Sequence, residues 1–514
     1  MNKDFQDLKK KFINKNYSEV IKITRNNIEK GSKHPIFFNL LSASFEALGK
    51  LIEAEEILLK AIKINPGEIS FRSNISRVQR ILKKYKESED NLVYGLKIDK
   101  NNNHLLFNLG ILKLNSKKFK EANNLFKKLI ELNLKYPDAL LFLAQSYLDL
   151  AYEKNNNEYY EKAKKSFLDS SKQFPERVYA DFQLSSLIDY SVDDTHQKIM
   201  LDKYKKQNLN PRQKAQICSA IAKSYEDQNK YNDAYEHIKL SNKIRDKYVD
   251  KKIIINEINK TKKIKKIYNQ IISNKFYDKN LKKKKIIFVV GMPRSGTTLV
   301  HQLLDASNLT QGLGESIILN KNLNGLIKYK KFGYEILNKT AMQIYDEYNS
   351  ISSSKILIDK LPINFYWIGF IKLFFPSAKV IHVNRSLKDV CLSIYKNNFG
   401  STEMDWSYNE KNIIEFAKNY KEIMFFWKNK YKDFIYDINY EELVLNQIDK
   451  TKKLFKFCDL EWDEEILNFY KFGKRIKTAS ISQVKKPVYI TSINSSNKYI
   501  DKMTFLKELE KFER

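Results

Sequence analysis

Apolar and small positions in the first half of the chain recur at a long, regular spacing. In "FFNLLSASFEALGKLIEAEEILLKAIKINP" the small residues Ser42, Ala54 and Ala61 bracket Phe45 and Leu58, and Pro66 closes the stretch. A step of 34 positions gives Ser76, Ser88, Leu92 and Gly95, and a second step gives Gly110, Ala122 and Phe126. Small side chains at these points predict pairs of antiparallel helices that approach closely. After an insertion the pattern returns at Ala144, Tyr147, Ala163, Phe167 and Pro175, and again at Ala222, Tyr225, Ala234 and Ile238. The first 34 residues follow it weakly, as a capping unit would, and it is degraded between 178 and 212.

A 34-residue period with small residues at helix crossings and a closing proline is the tetratricopeptide signature. It predicts an N-terminal α-solenoid of five to seven helix pairs over residues 1–250, with the Tyr, Phe and Leu stripes as its core. The concave face of such an array is a generic peptide-binding surface. Residues 251–283 are strongly basic and lack the repeat, and read as a helical linker running into a solvated basic stretch. From 286 the pattern changes to short apolar runs, "KIIFVV", "KILID", "AKVIHVN" and "DFIYDINYEEL", separated by helical stretches. That alternation predicts a parallel α/β domain over 284–514. The fold class is therefore α + α/β.

Composition supports this division. Only 14 glycines and 9 prolines in 514 residues argue for long helices. The formal charge of +31 raises nucleic acid or an anionic membrane as partners. The lysines are spread along the whole chain, which favours an anionic cofactor or an acidic peptide over nucleic acid. Cys218, Cys391 and Cys458 are far apart and form neither a disulfide framework nor a metal-ligand spacing. The N-terminus has no apolar signal region, and Lys372 interrupts the longest apolar run, "FYWIGFIKLFFPSAKVIHV". A soluble, cytoplasmic protein without a transmembrane segment is expected.

Candidate chemistry begins at "FVVGMPRSGTTLVHQLL". A strand ends at Val290; Gly291 and Gly296 let the backbone fold around an anion, and Ser295, Gly296, Thr297 and Thr298 open a helix whose N–H groups face it. A nucleoside triphosphatase places lysine after the second glycine, where Thr297 stands here. The positive charge sits inside the loop instead, on Arg294, whose fork suits an oxyanion with several acceptor oxygens. In "AKVIHVNRSLKDVCLSIYKNN", Arg385 lies just past a strand and Ser393 eight positions on, in a place to bind a second phosphate beyond the strand ends.

"PRSGTTL" resembles the 5′-phosphosulfate loop of the sulfotransferase family, and the Arg385/Ser393 pair resembles its 3′-phosphate motif. The resemblance spans about 284 to 500, and a tetratricopeptide array ahead of it is similar to microbial relatives of the protein-tyrosine sulfotransferases. It implies 3′-phosphoadenosine 5′-phosphosulfate (PAPS) as co-substrate, no metal, and an acceptor hydroxyl on protein tyrosine, with a protein or peptide acceptor held by the repeats. "LLDASNLTQGLGESIIL" resembles the segment bearing the catalytic base, which places that role on Glu315. "LIDKLPINF" resembles one whose lysine touches the transferring sulfuryl group, here Lys360. "INYEELV" implies Tyr440 beside the adenine, and "SISQVKKPVY" followed by "SINSSNKYI" implies a cofactor contact at Lys498. Arg294 and Lys360 would then stabilise the transition state electrostatically. The tyrosine-sulfating enzymes of animals carry an acidic residue and an arginine just after the base; Ser316 and Ile317 stand here.

Other readings stay open at this point. Carbohydrate and small-molecule hydroxyls are alternative acceptors. "ILID" ends in Asp359, as the Mg²⁺-binding strand of a P-loop kinase would, and a non-catalytic repeat scaffold is a third reading. Glu315 alone would equally cap a helix or pair with a lysine, and Lys360 would equally be a solvated charge at a strand end. His301 and His382 lie in apolar surroundings and read as packed histidines, and Trp406 and Trp427 read as core.

Overall fold

The computed structural model describes residues 3–132, 136–206, 208–273, 285–329, 333–352, 355–399, 402–471, 490 and 492–512. The basic run 274–284 and the segment "SISQVKKPVY" (480–489) lie outside these. The chain forms two compact units, Met1–Leu184 and Ser185–Arg514.

The first unit is built from helix pairs in strict phase. Leading helices start at Pro35, Ile69, Asn103 and Pro137, and following helices start at Tyr17, Leu51, Tyr85 and Phe119. Each step is one repeat length. The turn inside each pair reverses through one left-handed residue: Lys15, Gly49, Lys83 and Lys117, with φ of 63°, 75°, 62° and 61°. The next residue's N–H then bonds back to the helix end, as from Lys50 to the Phe45 carbonyl and from Lys84 to the Gln79 carbonyl, both at 2.8 Å. This phase extends to Lys15, so the N-terminal stretch with the weak sequence pattern is a full helix pair, Lys3–Ile13 with Tyr17–Glu29. The small positions sit at the helix crossings. A Cβ on Gly110 would stand 2.6 Å from the Phe126 ring, and one on Gly95 would stand 2.7 Å from Leu105.

The second unit opens with helices Thr195–Lys206, Pro211–Asp227, Tyr231–Asp246 and Ile253–Ser273. The pair Pro211–Asp227 and Tyr231–Asp246 keeps the repeat's turn, with Asn229 at φ 59°. Five parallel strands follow: β1 (Ile286–Gly291), β2 (Thr310–Gly314), β3 (Ile356–Asp359), β4 (Lys379–Asn384) and β5 (Ile435–Asn439), in the order β2-β3-β1-β4-β5. β1 is central, and its residues alternate between two cores. Ile286, Phe288 and Val290 join Trp367, Trp406, Trp427 and Tyr268 on one face; Ile287 and Val289 join Val300, Leu303, Leu454 and Phe455 on the other. The first of these cores also contains Ala222, Ala234 and Ile238. The stretch around Lys372 is a short helical segment, Pro362–Trp367 with Ile368–Phe374, then a turn and β4. All three cysteines are free and buried, and burial pushes the Cys218 and Cys458 thiols up to about 11 and about 12. Among the described residues no helix is long and apolar enough to cross a membrane.

Candidate active site

Parallel pairing puts the C-terminal ends of all five strands on one edge of the sheet, where open α/β folds bind ligands. Gly291 of β1 pairs with Val383 of β4, Gly314 of β2 with Asp359 of β3, and Asn384 of β4 with Asn439 of β5. Each candidate residue from Arg294 to Tyr440 lies just beyond one of these ends or on the helix that follows.

The loop after β1 closes tightly, with the Ser295 N–H donating to the Met292 carbonyl at 3.1 Å. Gly296 has φ of 102°, and a Cβ there would overlap the Tyr440 ring at 2.3 Å. Arg294 itself is left-handed, with φ of 72°, an uncommon conformation for a residue with a side chain. The helix that follows, Thr297–Asp305, starts with no side-chain cap. Its first N–H groups lack intrahelical partners and carry the positive end of the helix dipole. Ser295 is 1% exposed, and its Oγ has no hydrogen-bond partner among the described residues.

Beside this loop the second cluster assembles. Arg294 Nε donates to Ser393 Oγ at 3.0 Å, across 99 residues of sequence. Arg385 Nη1 donates to the Arg294 carbonyl at 3.2 Å, and its Nη2 to the Ser492 carbonyl at 2.6 Å. Its guanidinium carbon lies 4.5 Å from the centre of the Tyr440 ring, and the Tyr440 hydroxyl bonds Ser492 Oγ at 2.9 Å. Arg385 Nε is buried and has no partner among the described residues. A buried, unpaired guanidinium donor and a buried, unpaired hydroxyl within one cradle are suited to an anionic ligand, because leaving them unpaired costs free energy.

A second pair lies on the β2 and β3 side. Lys360 follows β3, and its N–H donates to the Gly314 carbonyl at 3.0 Å, which brings Glu315 alongside. Lys360 Nζ donates to Glu315 Oε1 at 2.6 Å; Lys360 is fully buried, while the Glu315 side chain is 41% exposed. The alternative reading of Lys360 as a solvated strand-end charge therefore fails, since it lies inside the protein. Burial pushes the Lys360 ammonium down, Glu315 opposes this, and the nearby Arg294 charge adds to it. Beneath the pair, Asp359 accepts from the Tyr348 hydroxyl and from Asn364 Nδ2, the latter at 3.1 Å. Burial pushes its carboxyl up to about 7, against hydrogen bonds from Tyr348, the Leu361 N–H and Ser316.

Arg294, Arg385, Ser393 and Tyr440 thus meet in one cluster, and Glu315 meets Lys360 beside it. Lys498 is exposed, and its ammonium lies 5.2 Å from the centre of the Tyr231 ring. His382 is packed, as expected, between Asp437 and the Tyr420 hydroxyl, and burial lowers its pKa. His301 is 2% exposed. Sequence reasoning missed Ser492 and Asp389. Asp389 accepts from the backbone N–H groups of Asn494 and Ser496, both at 2.8 Å, and so holds the strap that carries Ser492 against the helix Leu387–Lys396. Its place in the first turn of the helix just after Arg385 was a usable signal, and its carboxylate lies 3.9 Å from Arg385 Nη2; Ser492 offered none.

Residues 287–464 match the sulfotransferase family, and residues 35–68 match a tetratricopeptide repeat. An uncharacterized protein of Aquifex aeolicus (strain VF5) is 32% identical over 244 residues, 44% of this chain and 32% of that protein. Protein-tyrosine sulfotransferase A of Caenorhabditis elegans is 25% identical over 255 residues, 44% of this chain and 64% of that protein. The chain thus spans about a third of the Aquifex protein and just under two thirds of the nematode enzyme. The sulfotransferase domain of the Synechococcus PCC 7002 olefin synthase aligns with a TM-score of 0.36 at 18% identity, covering 46% of this chain and 97% of that domain. The C-terminal unit carries a sulfotransferase domain, and tetratricopeptide-type helix pairs precede it.

Proposed function

We propose that this domain moves a sulfuryl group from 3′-phosphoadenosine 5′-phosphosulfate to an acceptor hydroxyl, with protein tyrosine as the favoured acceptor. The observation that carries the donor assignment is the pair of buried, unpartnered polar atoms, Ser295 Oγ and Arg385 Nε, in a cradle shared by Arg294 and Ser393. Such a cradle suits a nucleotide with separate 5′ and 3′ anionic groups. In this reading the backbone of Ser295, Gly296, Thr297 and Thr298 holds the 5′-phosphate, with Arg294 beside it. Arg385 and Ser393 hold the 3′-phosphate, and Tyr440 lies beside the adenine. Ser492, bonded to both Arg385 and Tyr440, serves as the contact from the C-terminal strap that sequence reasoning gave to Lys498.

The chemistry needs a base and balancing cations. A new S–O bond forms to the acceptor oxygen as the S–O bond to the donor phosphate breaks. Glu315 takes the hydroxyl proton; its part-exposed carboxylate is accessible to an incoming acceptor. Lys360, fully buried, meets the charge on the sulfuryl oxygens, and Arg294, half-buried, the charge on the departing phosphate; such interactions strengthen away from water. The kinase reading is weakened by Asp359. Its two carboxylate oxygens accept from Tyr348 and Asn364 in a fully buried site, which suits a structural role better than Mg²⁺ binding.

The tyrosine acceptor is supported by the named relatives and by the repeats, whose class commonly binds peptides. Ser316 and Ile317 after the base differ from the animal enzymes, which keeps carbohydrate and small-molecule hydroxyls as the second reading. Transfer of labelled sulfate from the donor to a panel of tyrosyl peptides, sugars and phenols tests it. Labelled tyrosyl peptide is the expected product; label confined to sugars or small phenols would transfer the assignment to the second reading.

A further inference from the structure

Two elements supply the proposed 3′-phosphate end of the donor site: the helix Leu387–Lys396, which carries Ser393, and the strap 492–499, which carries Ser492. Asp389 fastens them to each other from within. On their other side both are fastened to the helix pair Pro211–Asp227 and Tyr231–Asp246.

One carboxylate oxygen makes that attachment. Glu226 Oε1 accepts from Lys396 Nζ, at the end of the Ser393 helix, and from the Tyr499 hydroxyl, at the end of the strap. Lys396 also lies over the Tyr499 ring, 5.5 Å from its centre, and Tyr231 meets that ring edge-on at 5.4 Å. Tyr499 is 2% exposed, so its hydroxyl depends on Glu226 for a partner. A second attachment lies at the residue before Lys396. The buried Asn242 amide donates at 2.8 Å to the Tyr395 carbonyl, in the last turn of the Ser393 helix, where carbonyls lack intrahelical partners. Ala222, Ala234 and Ile238 of the same helix pair lie in the core that lines β1.

We infer that this last repeat-like helix pair is a working part of the donor site, with Glu226 as a positioning residue that sets the Ser393 helix against the Ser492 strap. The inference rests on the reading that Arg385, Ser393 and Ser492 hold the donor's 3′ end. Glu226 touches neither reacting atom, so its effect falls on donor affinity. By linkage, a donor nucleotide that tightens this end of the site also tightens the helix pair, and a macromolecule that displaces the pair weakens donor binding by the same factor.

The test uses the full chain and adenosine 3′,5′-bisphosphate, with calorimetry for binding and initial rates for turnover. Glu226→Gln and Tyr499→Phe should each raise the dissociation constant and the donor KM about tenfold, equivalent to about 1.4 kcal/mol. The kcat at saturating donor should stay within about threefold. Because both variants break one junction, the double variant should lose much less than the product of the singles. Adding the nucleotide to the unmodified protein should slow amide exchange in Pro211–Asp246. Tyr499→Phe removes only a hydroxyl and keeps the test open if Glu226→Gln fails to fold. Unchanged affinity in both variants, or a fall in kcat with unchanged KM, overturns the inference while leaving the donor reading standing. If the unmodified protein does not bind the nucleotide at all, the donor reading fails and takes the inference with it.

Discussion

The Lys360 ammonium donates to the Glu315 carboxylate at 2.6 Å, and the two groups meet across the boundary between protein and water: the lysine is fully buried, the glutamate 41% exposed. The pair presents a proton acceptor to solvent and keeps a cation in the low-dielectric interior behind it. Glu315→Gln should therefore lower kcat by about 10²–10⁴ while leaving affinity for adenosine 3′,5′-bisphosphate within a few-fold. Steady-state rates with calorimetric binding check this; activity that survives the change puts the base elsewhere.

Arg385 makes its contacts through a fork. Two of its nitrogens are held by the Arg294 and Ser492 carbonyls while Nε is left without a partner. Arg385→Ala should raise the nucleotide dissociation constant tenfold or more, and Arg385→Lys should not restore it, since an ammonium cannot serve three directions fixed by a plane. Unchanged affinity with lost turnover would refute the 3′-phosphate assignment.

Asp359 ties pH to stability. Its carboxyl titrates near 3.9 in an unfolded chain and is pushed up to about 7 in the folded protein by burial. Between those values the native state binds the extra proton, so this group's contribution to stability falls as pH rises from about 4 to about 7. Asp359→Asn removes the titration. Denaturant melts across that range should show the variant gaining stability relative to the unmodified protein as pH rises; a difference that stays flat would mean Asp359 keeps its ordinary pKa.

The repeat crossings make a packing prediction. A Cβ on Gly110 would lie 2.6 Å from the Phe126 ring. Gly110→Ala should cost about 1–3 kcal/mol through forced displacement of that ring. Gly49→Ala meets no atom within 4 Å, but φ is 75°, so its loss of about 1 kcal/mol would report backbone strain alone. Chemical denaturation of the two variants separates these causes.

The repeats were legible because close helix contact demands a small residue, and Ser42, Ser76 and Gly110 mark three successive crossings. The turn residues were not: Gly49 is visible, but Lys15, Lys83 and Lys117 take the same left-handed conformation without a sequence signal. In the α/β unit four strands were legible as apolar runs. β2, "TQGLG", was not, because Leu313 is its one strongly apolar residue and no apolar run marks it. Arg294, Arg385 and Ser393 were visible as a loop and a spacing, while their convergence with Ser492 depends on the C-terminal strap folding back over 100 residues from Arg385. The burial of Lys360 was also hidden, since "IDKLP" ends a strand and says nothing of Glu315, 45 residues earlier, to which its ammonium turns.

The central claim is that the cradle holds a nucleotide by its 5′ and 3′ anionic groups. Its most direct test is calorimetric titration of the full chain with adenosine 3′,5′-bisphosphate, adenosine 5′-monophosphate and ATP, each with and without Mg²⁺. The account predicts one equivalent of the bisphosphate bound whether or not Mg²⁺ is present, and at least tenfold weaker binding once the 3′-phosphate is removed. Mg²⁺-dependent binding of ATP, with no heat from the bisphosphate, would contradict it.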